Sequence, residues 1–248
     1  MIPKTIHYCW FGGKPLPEKV KRYMSSWRKV MPDAEIIRWD ESNYDVDVIP
    51  YTAAAARERR WAFVTDYARL DIVFRHGGIY LDVDVELVKP LDPLLANKAF
   101  CGTEDGELIA TGLILAAEPE NELIGGMRDA YLNYRFLDAN GRFTSPPCPV
   151  LQTEYLHSRG FRMLPEGGCF LGLMVYPSRY FAPIHPRSRK CTMTADTYSI
   201  HHYLGSWYTP KKRIFAVVRN VLLFLFGSRF TDAMRTLKGK FGLGNGGI

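Results

Sequence analysis

The sequence lacks the cysteine patterns that stabilise a small secreted domain or hold a zinc ion. Its five cysteines, at positions 9, 101, 148, 169 and 191, are odd in number, dispersed and never in Cys-x-x-Cys spacing. Disulfide frameworks and zinc sites both need cysteines in regular pairs or close spacing. The pattern therefore argues against both and favours a reducing compartment.

Long apolar runs are also missing. No stretch approaches about 18 uninterrupted apolar residues, so the sequence predicts no transmembrane helix. The residues after Met1 contain no basic segment followed by an apolar run of the signal-peptide type. From these two absences we expect a cytoplasmic protein.

Acidic residues become scarce after position 207. Residues 208–248 contain eight lysines and arginines and one acid, Asp232, whereas residues 1–207 contain 24 basic and 25 acidic residues. No internal repeat or low-complexity linker divides the first part further. We therefore expect one domain, 1–207, followed by a basic tail, 208–248.

The tail contains an apolar segment, 213–227, that is flanked by lysines and arginines between 211 and 229. It is too short and too interrupted to span a bilayer. It suits either a core helix that completes the domain or an interfacial helix lying on anionic lipid. We favour the second interpretation, which predicts a peripheral contact through residues 211–229 with the inner face of the membrane. The basic residues form no groove interleaved with aromatics, so we expect no nucleic-acid partner despite the pI of about 9.0.

Strand and helix patterns alternate along the first part of the chain. Residues 5–10 and 34–39 are predicted strands, and residues 18–30 between them are a predicted amphipathic helix. A strand, a helix and a strand at this spacing are typical of a βαβ unit with parallel strands. The sequence therefore predicts an α/β fold.

A helical pattern covers residues 53–74 and is expected to form two pieces. An apolar stripe on its second half should pack on the sheet; it consists of Phe63, Tyr67, Leu70 and Phe74. Gly77 and Gly78 should end the helix. Further on we predict strands at 99–103 and 108–117, helices at 120–134 and 150–158, and irregular structure with short strands over 161–200.

Residues 77–87 form the most informative stretch. As a strand, it would place five apolar residues on one face (Ile79, Leu81, Val83, Val85 and Leu87). The other face would carry Tyr80, Asp82, Asp84 and Glu86. Carboxylates held this close repel one another, and a hard divalent cation would offset the repulsion. A strand with a solvated acidic face is the alternative interpretation.

Several segments together resemble glycosyltransferase family 32, the DXD-containing sugar transferases that include capsular polysaccharide enzymes and outer-chain mannosyltransferases. They occur in the order of that family and extend over most of residues 1–207. The matching segments are 2–13 (IPKTIHYCWFGG), 26–27 (SW), 38–40 (RWD), 65–70 (TDYARL), 77–84 (GGIYLDVD), 200–202 (IHH) and 206–207 (SW). One Asp-x-Asp triplet is weak evidence, whereas several ordered motifs are strong evidence.

The resemblance implies a GT-A fold, a Rossmann-like α/β domain that binds a nucleotide-sugar donor together with Mn²⁺ or Mg²⁺. Asp82 would contact the ribose and sugar side and belong to the metal site, and Asp84 would ligate the metal directly. His201 matches the late metal ligand, and His202 would replace it if the register slipped by one residue. Two carboxylates and an imidazole suit Mn²⁺.

The resemblance also assigns the donor-binding residues. Asp66 and Arg69 match positions that hold the hydroxyls of the donor sugar, so that Asp66, Arg69, Asp82 and Asp84 are the candidate catalytic residues. Trp10 matches an aromatic that stacks on the base. Ser206 and Trp207 would close over the diphosphate. From the residues alone, Asp66 and Arg69 would otherwise be a surface ion pair, and Trp10 a core residue.

Two departures from the family leave the sugar open. Thr111 and Gly112 stand where relatives often have an asparagine, and Cys148-Pro149 stands where they often have Gly-Pro. No carboxylate is an evident nucleophile, so a front-face mechanism is the default hypothesis.

The sequence thus predicts a metal-dependent, retaining hexosyltransferase. It would use a UDP- or GDP-sugar donor and a saccharide or lipid-linked saccharide acceptor in capsule or lipopolysaccharide synthesis. The alternative is a catalytically decayed GT-A fold that binds nucleotide-sugars or glycans.

Overall fold

The amino-terminal strands and helix form the predicted βαβ unit. In the computed structural model, which describes residues 1–104, 106–185 and 189–204, β1 is Thr5–Cys9, α1 is Glu18–Val30 and β2 is Glu35–Trp39. β1 and β2 are parallel. Helix α1 ends ahead of Pro32, because the residue before a proline is disfavoured in helical conformation.

The remaining elements are short strands and four helices. The strands are β3 (Gly78–Tyr80), β4 (Val85–Leu87), β5 (Ala99–Gly102), β6 (Leu115–Ala117), β7 (Gly168–Phe170), β8 (Leu173–Tyr176) and β9 (Ser199–His201). The helices are α2 (Pro50–Arg57), α3 (Trp61–His76), α4 (Glu122–Asp129) and α5 (Cys148–Ser158). Short 3-10 turns occur at Asp92–Leu94, Ala130–Asn133 and Ser178–Tyr180.

Seven strands form the main sheet, in the order β2–β1–β3–β6–β5–β8–β7. Five of them run in one direction, and β6 and β7 run in the opposite direction. Strands β4 and β9 form a separate antiparallel ribbon. The predicted α/β class is confirmed, with a sheet that is mixed rather than wholly parallel.

Helices cover both faces of the main sheet. α2, α3, α4 and α5 contribute to the core on one face, where Tyr67 and Leu70 of the predicted apolar stripe are buried and Phe63 and Phe74 pack against them. α1 and the β4 ribbon contribute to the core on the other face, which contains Trp27. The predicted division of residues 53–74 into two helices is confirmed as α2 and α3.

The prediction of one continuous strand over 77–87 is wrong. The chain leaves the main sheet after β3 and turns, with Val85 N donating to Asp82 O at 3.0 Å, before it enters β4 in the ribbon. The apolar alternation nevertheless holds across the turn. Ile79, Leu81, Val85 and Leu87 lie in one core, and Val83 packs against it.

Two further predictions need correction, and a third is confirmed. The predicted strand over 108–117 contains only β6, because residues 111–113 form a turn that is buried without strand pairing. The predicted helix over 120–134 is α4 followed by a 3-10 turn. Residues 161–200 contain short strands, as expected. Ser206, Trp207 and the tail 208–248 lie outside the described residues.

His7 and Gly78 fix the point where the chain enters β3. The neutral His7 ring accepts a hydrogen bond from Trp39 Nε1 at 3.1 Å and donates from Nε2 to Gly77 O at 3.0 Å. Burial lowers the pKa of His7 to about 4, which keeps the ring neutral. Gly77 and Gly78 both have positive φ, at 65° and 92°, which glycine adopts without strain. The predicted helix stop at this pair is confirmed.

Replacement of Gly78 by alanine should therefore destabilise the fold strongly. A Cβ there would lie 2.7 Å from Thr5 O and 2.9 Å from His7 Nε2, in addition to the strain of positive φ. We expect Gly78→Ala to lower the free energy of unfolding by about 3 kcal/mol or more, measured by urea denaturation.

Gly141→Ala is the matched control, since Gly141 also has positive φ, at 71°, but nothing lies within 4 Å of its added Cβ. It should cost only the backbone strain, about 1 kcal/mol. Equal losses in the two variants would contradict the packing argument.

Candidate functional site

Helix α3 and strand β3 bring three charged side chains together. Asp66 and Arg69 lie three residues apart on α3, and so on one side of the helix. Gly77 connects α3 to β3, and Asp82 comes shortly after the end of β3. Arg69 Nη2 lies 3.0 Å from Asp66 Oδ1 and 3.3 Å from Asp82 Oδ1. One guanidinium therefore bridges two carboxylates from different elements.

This ion-pair group is buried rather than on the surface. The side chain of Arg69 is 6% exposed and that of Asp66 is 15% exposed. Tyr80 donates its hydroxyl proton to Asp82 Oδ1 at 2.9 Å, and its ring lies under the Arg69 guanidinium at 5.1 Å. Because a buried charge needs close partners, the surface ion-pair interpretation of Asp66 and Arg69 does not fit this arrangement.

Burial also changes the protonation of the group. It raises the pKa of Asp66 to about 6, against the opposing charge of Arg69. Burial likewise raises the pKa of Asp82, although Arg69 lies beside it. Burial alone would lower the pKa of Arg69, but the negative neighbours, Asp82 first, outweigh it and raise that pKa well above its ordinary value. The guanidinium thus stays charged.

Asp84 and His201 form the second half of the site. Asp84 immediately precedes β4, and His201 ends β9, where it pairs with Val85. Asp84 Oδ1 lies 3.0 Å from His201 Nε2, and Asp84 Oδ2 accepts from Leu204 N at 2.8 Å. Burial opposes both ionised forms, but the mutual attraction lowers the pKa of Asp84 to about 2 and raises that of His201.

The two halves meet in a group suited to a divalent cation. Ligand atoms of Asp82, Asp84 and His201 all lie within 4.8 Å of one another, a spacing that allows three ligands to reach one ion. Among the described residues, His201 Nδ1 is buried without a hydrogen-bond partner. Two carboxylate oxygens and an imidazole nitrogen are ligands that suit Mn²⁺. These residues therefore fit the predicted metal.

Gly112 and Cys148 complete the walls of the site, and both stand at departures from the family pattern. Gly112 O accepts from Asp82 N at 3.1 Å. A Cβ on Gly112 would collide with Asp82 Oδ2 and lie 2.6 Å from Arg69 Nη1, so only glycine allows this approach. Cys148 Sγ lies 3.9 Å from Arg69 Nη1, and burial raises the pKa of its thiol well above the ordinary value.

Three buried polar side chains around these walls have no hydrogen-bond partner in the part of the chain that the structure describes. They are Thr111 (Oγ1), Tyr131 (OH) and Gln152 (Nε2 and Oε1). Gln152 lies one turn after Cys148 on α5. Each such group costs about 1–3 kcal/mol if it stays unpaired.

Sequence reasoning missed Tyr80 and Gly112 as members of the site. A signal for Tyr80 was present, because it shares the polar face of the stretch 77–87 with Asp82. No local signal marks Gly112, whose role depends on contacts with Asp82 and Arg69.

The other predicted site residues are Trp10, His202, Ser206 and Trp207. Trp10 follows β1, is half-buried and donates from Nε1 to Lys14 O at 2.5 Å. His202 does not join the cluster of possible metal ligands, and its Nε2 lies 2.8 Å from Glu86 Oε2. Glu86 is therefore the partner of His202. Ser206 and Trp207 fall outside the described residues.

Comparison with known proteins finds relatives for part of the chain. Residues 17–101 match the family model described as "Glycosyltransferase sugar-binding region containing DXD motif". The chain is 35% identical over 103 residues to inositol phosphoceramide mannosyltransferase 3 of Schizosaccharomyces pombe. The aligned region covers 40% of this chain and 29% of that protein. It is 27% identical over 106 residues to the initiation-specific alpha-1,6-mannosyltransferase of Candida albicans. That aligned region covers 39% of this chain and 28% of the relative. The chain thus spans less than a third of the length of either relative.

Among solved structures, the PaToxG glycosyltransferase has a TM-score of 0.48 and 20% identity, over 64% of this chain and 69% of that one. The matched segment 17–101 contains Asp66, Arg69, Asp82 and Asp84, while Trp10, His201 and His202 lie outside it. Residues 17–101 therefore match the family of glycosyltransferase sugar-binding regions that contain the DXD motif, and the resemblance to glycosyltransferase family 32 is confirmed on this segment.

Proposed function

We propose that the protein is a metal-dependent, retaining glycosyltransferase that transfers a hexose from a UDP- or GDP-sugar to a saccharide acceptor. The observation that carries the proposal is the convergence of Asp82, Asp84 and His201 beside the buried Asp66–Arg69 pair. Transfer from a nucleotide-sugar requires ligands for a metal and ligands for the sugar hydroxyls within one site.

Asp66 and Arg69 would bind hydroxyls of the donor sugar. A carboxylate accepts hydrogen bonds and a guanidinium donates them, so the pair offers both functions to adjacent hydroxyls. Asp82 would lie between the sugar and the metal, because its carboxylate already contacts Arg69 on one side and belongs to the cluster with Asp84 and His201 on the other.

Asp82, Asp84 and His201 would hold the divalent ion. When bound there, the ion would act as a Lewis acid that stabilises the charge of the departing nucleoside diphosphate. Asp84 and His201 would have to exchange their mutual hydrogen bond for metal ligation, with loss of the shared proton. Trp10 would stack on the base, and Ser206 and Trp207 would close over the diphosphate.

A front-face mechanism remains our proposal for the transfer itself. Asp66 and Asp82 are both engaged by Arg69, which makes each a weak nucleophile. The buried pair would instead stabilise the positive charge that develops on the sugar ring as the diphosphate departs.

The names of two relatives suggest which donor to test first. The two relatives named above are mannosyltransferases by name, so GDP-mannose is the first donor to test, ahead of UDP-glucose, UDP-galactose and UDP-GlcNAc. The acceptor is proposed to be a saccharide or lipid-linked saccharide in capsule or lipopolysaccharide synthesis.

None of the helices in the described part of the chain is both long and apolar enough to cross a membrane.

The proposed placement is cytoplasmic and peripheral, at the inner face of the membrane. It rests on the division into a domain, 1–207, and a basic tail, 208–248, with contact through residues 211–229. This part of the proposal is carried by charge and hydropathy alone.

A catalytically decayed binding protein is the rival function. It would bind the nucleotide-sugar and never hydrolyse or transfer it. The intact set of Asp66, Arg69, Asp82, Asp84 and His201 supports the enzyme. Slow Mn²⁺-dependent hydrolysis of a nucleotide-sugar without acceptor would distinguish the two.

Asp84→Asn should reduce that hydrolysis by about 100-fold or more, because the amide is a weaker metal ligand than the carboxylate. Chelation with EDTA should abolish the wild-type activity, and added Mn²⁺ should restore it. The measurement is release of the nucleoside diphosphate, with circular dichroism to verify the fold.

Asp47→Asn is the matched control, since Asp47 is an exposed aspartate away from the site. It should keep the wild-type rate and metal dependence. Wild-type hydrolysis in Asp84→Asn would contradict the metal assignment.

Asp66→Asn should change how stability depends on pH. Because the pKa of Asp66 is raised to about 6 in the folded protein, its contribution to stability is full below about pH 3.8 and is lost as the pH rises through about 6. The wild type should therefore lose about 2 kcal/mol more unfolding free energy than Asp66→Asn between pH 4 and 7. Urea denaturation at several pH values measures the difference, and parallel profiles would show that Asp66 has an ordinary pKa.

A further inference from the structure

The ribbon of β4 and β9 carries two of the three proposed metal ligands on a very small scaffold. Each strand has only three residues, Val85–Leu87 and Ser199–His201. An isolated two-stranded ribbon is at best marginally stable in water. Its geometry must therefore be fixed by contacts with its surroundings.

Helix α1 fixes strand β4 through two backbone groups. Trp27 donates from Nε1 to Val85 O at 2.8 Å, and Leu87 N donates to Ser26 Oγ at 2.8 Å. Trp27 is completely buried. These bonds hold β4, but they make no contact with β9, which brings His201 to the site.

His202 connects β9 to both β4 and α1. Its Nε2 lies 2.8 Å from Glu86 Oε2, and its backbone N donates to Asp84 O at 3.0 Å. Its ring stacks on Tyr23 of α1, with 3.8 Å between ring centroids and 11° between planes. Tyr23 is itself buried. The imidazole is therefore fixed by a carboxylate at its edge and by an aromatic ring on its face.

The consecutive histidines make the register of β9 decisive. Neighbouring side chains of an extended strand point to opposite sides, so a slip of one residue would bring His202 to the position of His201 and Tyr203 to the position of His202. His202 would then face Asp84, and no imidazole would lie in the place between Glu86 and Tyr23 that His202 now occupies. Glu86 and Tyr23 stabilise the observed register, in which His201 reaches Asp84 at 3.0 Å.

We propose that Tyr23, Glu86 and His202 form a register clamp that positions His201 for the metal. His202 is thus a positioning residue for the site and not a ligand. This inference rests on the proposed metal-dependent function, and it adds that the affinity for the ion depends on the aromatic stack between Tyr23 and His202, neither of which is a ligand.

The experiment measures Mn²⁺ binding to the full-length chain by calorimetry and the Mn²⁺ environment by pulsed electron paramagnetic resonance, which detects a bound imidazole nitrogen. In the wild type we expect one coupled histidine nitrogen. His201→Ala should lose that coupling. His202→Ala should keep it, with Mn²⁺ bound about 10-fold or more weakly, as expected for a partner that orients a ligand.

Two pairs of variants separate positioning from general destabilisation. Tyr23→Leu removes the stacked ring, whereas Tyr23→Phe keeps it. We expect Tyr23→Leu to weaken Mn²⁺ binding about 10-fold and Tyr23→Phe to bind like the wild type. Glu86→Ala should weaken binding, and Glu86→Gln, which can still hydrogen-bond His202, should restore most of it. Urea denaturation without metal identifies any variant that has merely lost stability.

The outcomes distinguish the clamp from the function on which it rests. Loss of the nitrogen coupling in His202→Ala, with the coupling kept in His201→Ala, would make His202 the ligand and overturn the clamp. Unchanged Mn²⁺ affinity in both folded Tyr23→Leu and folded His202→Ala would also overturn it. Absence of Mn²⁺ binding or of nitrogen coupling in the wild type would instead reject the proposed metal site itself.

Discussion

The buried guanidinium of Arg69 is the constraint on which the site depends. A charge with a side-chain exposure of 6% requires compensation within the protein. Asp66 and Asp82 supply it from two different elements, α3 and the turn after β3. The helix, the glycine pair at its end and the strand must therefore keep one relative position, which explains why the entry into β3 is packed down to the backbone around Gly78.

The same compensation leaves an excess of negative charge. Two carboxylates surround one guanidinium, and Asp84 adds a third carboxylate that is balanced only while His201 carries a proton. Replacing that proton by a divalent cation would balance the excess negative charge more completely, since Asp82 would be a further ligand of the ion. The electrostatics thus favour a cation beside Asp84 and His201. Asp82 is common to the proposed sugar-binding group and the proposed metal-binding group.

The sequence allowed local features to be predicted and left long-range ones open. The bounds of α1, the two pieces of α2 and α3, and the first two strands follow from periodicity and from Pro and Gly signals, which are local. The break between β3 and β4 does not, because it depends on pairing with β9, more than a hundred residues later. The apolar alternation of Ile79 to Leu87 survives that break, since both pieces face one core.

The ambiguity between His201 and His202 had the same origin. Nothing in two consecutive histidines says which one faces the carboxylates, and the answer lies in Tyr23 and Glu86, which are distant in sequence. Both residues belong to the segment 17–101 that matches the glycosyltransferase family, whereas the histidines do not. The matched segment therefore contains two of the three proposed metal ligands and also the surface that receives the strand bearing the third.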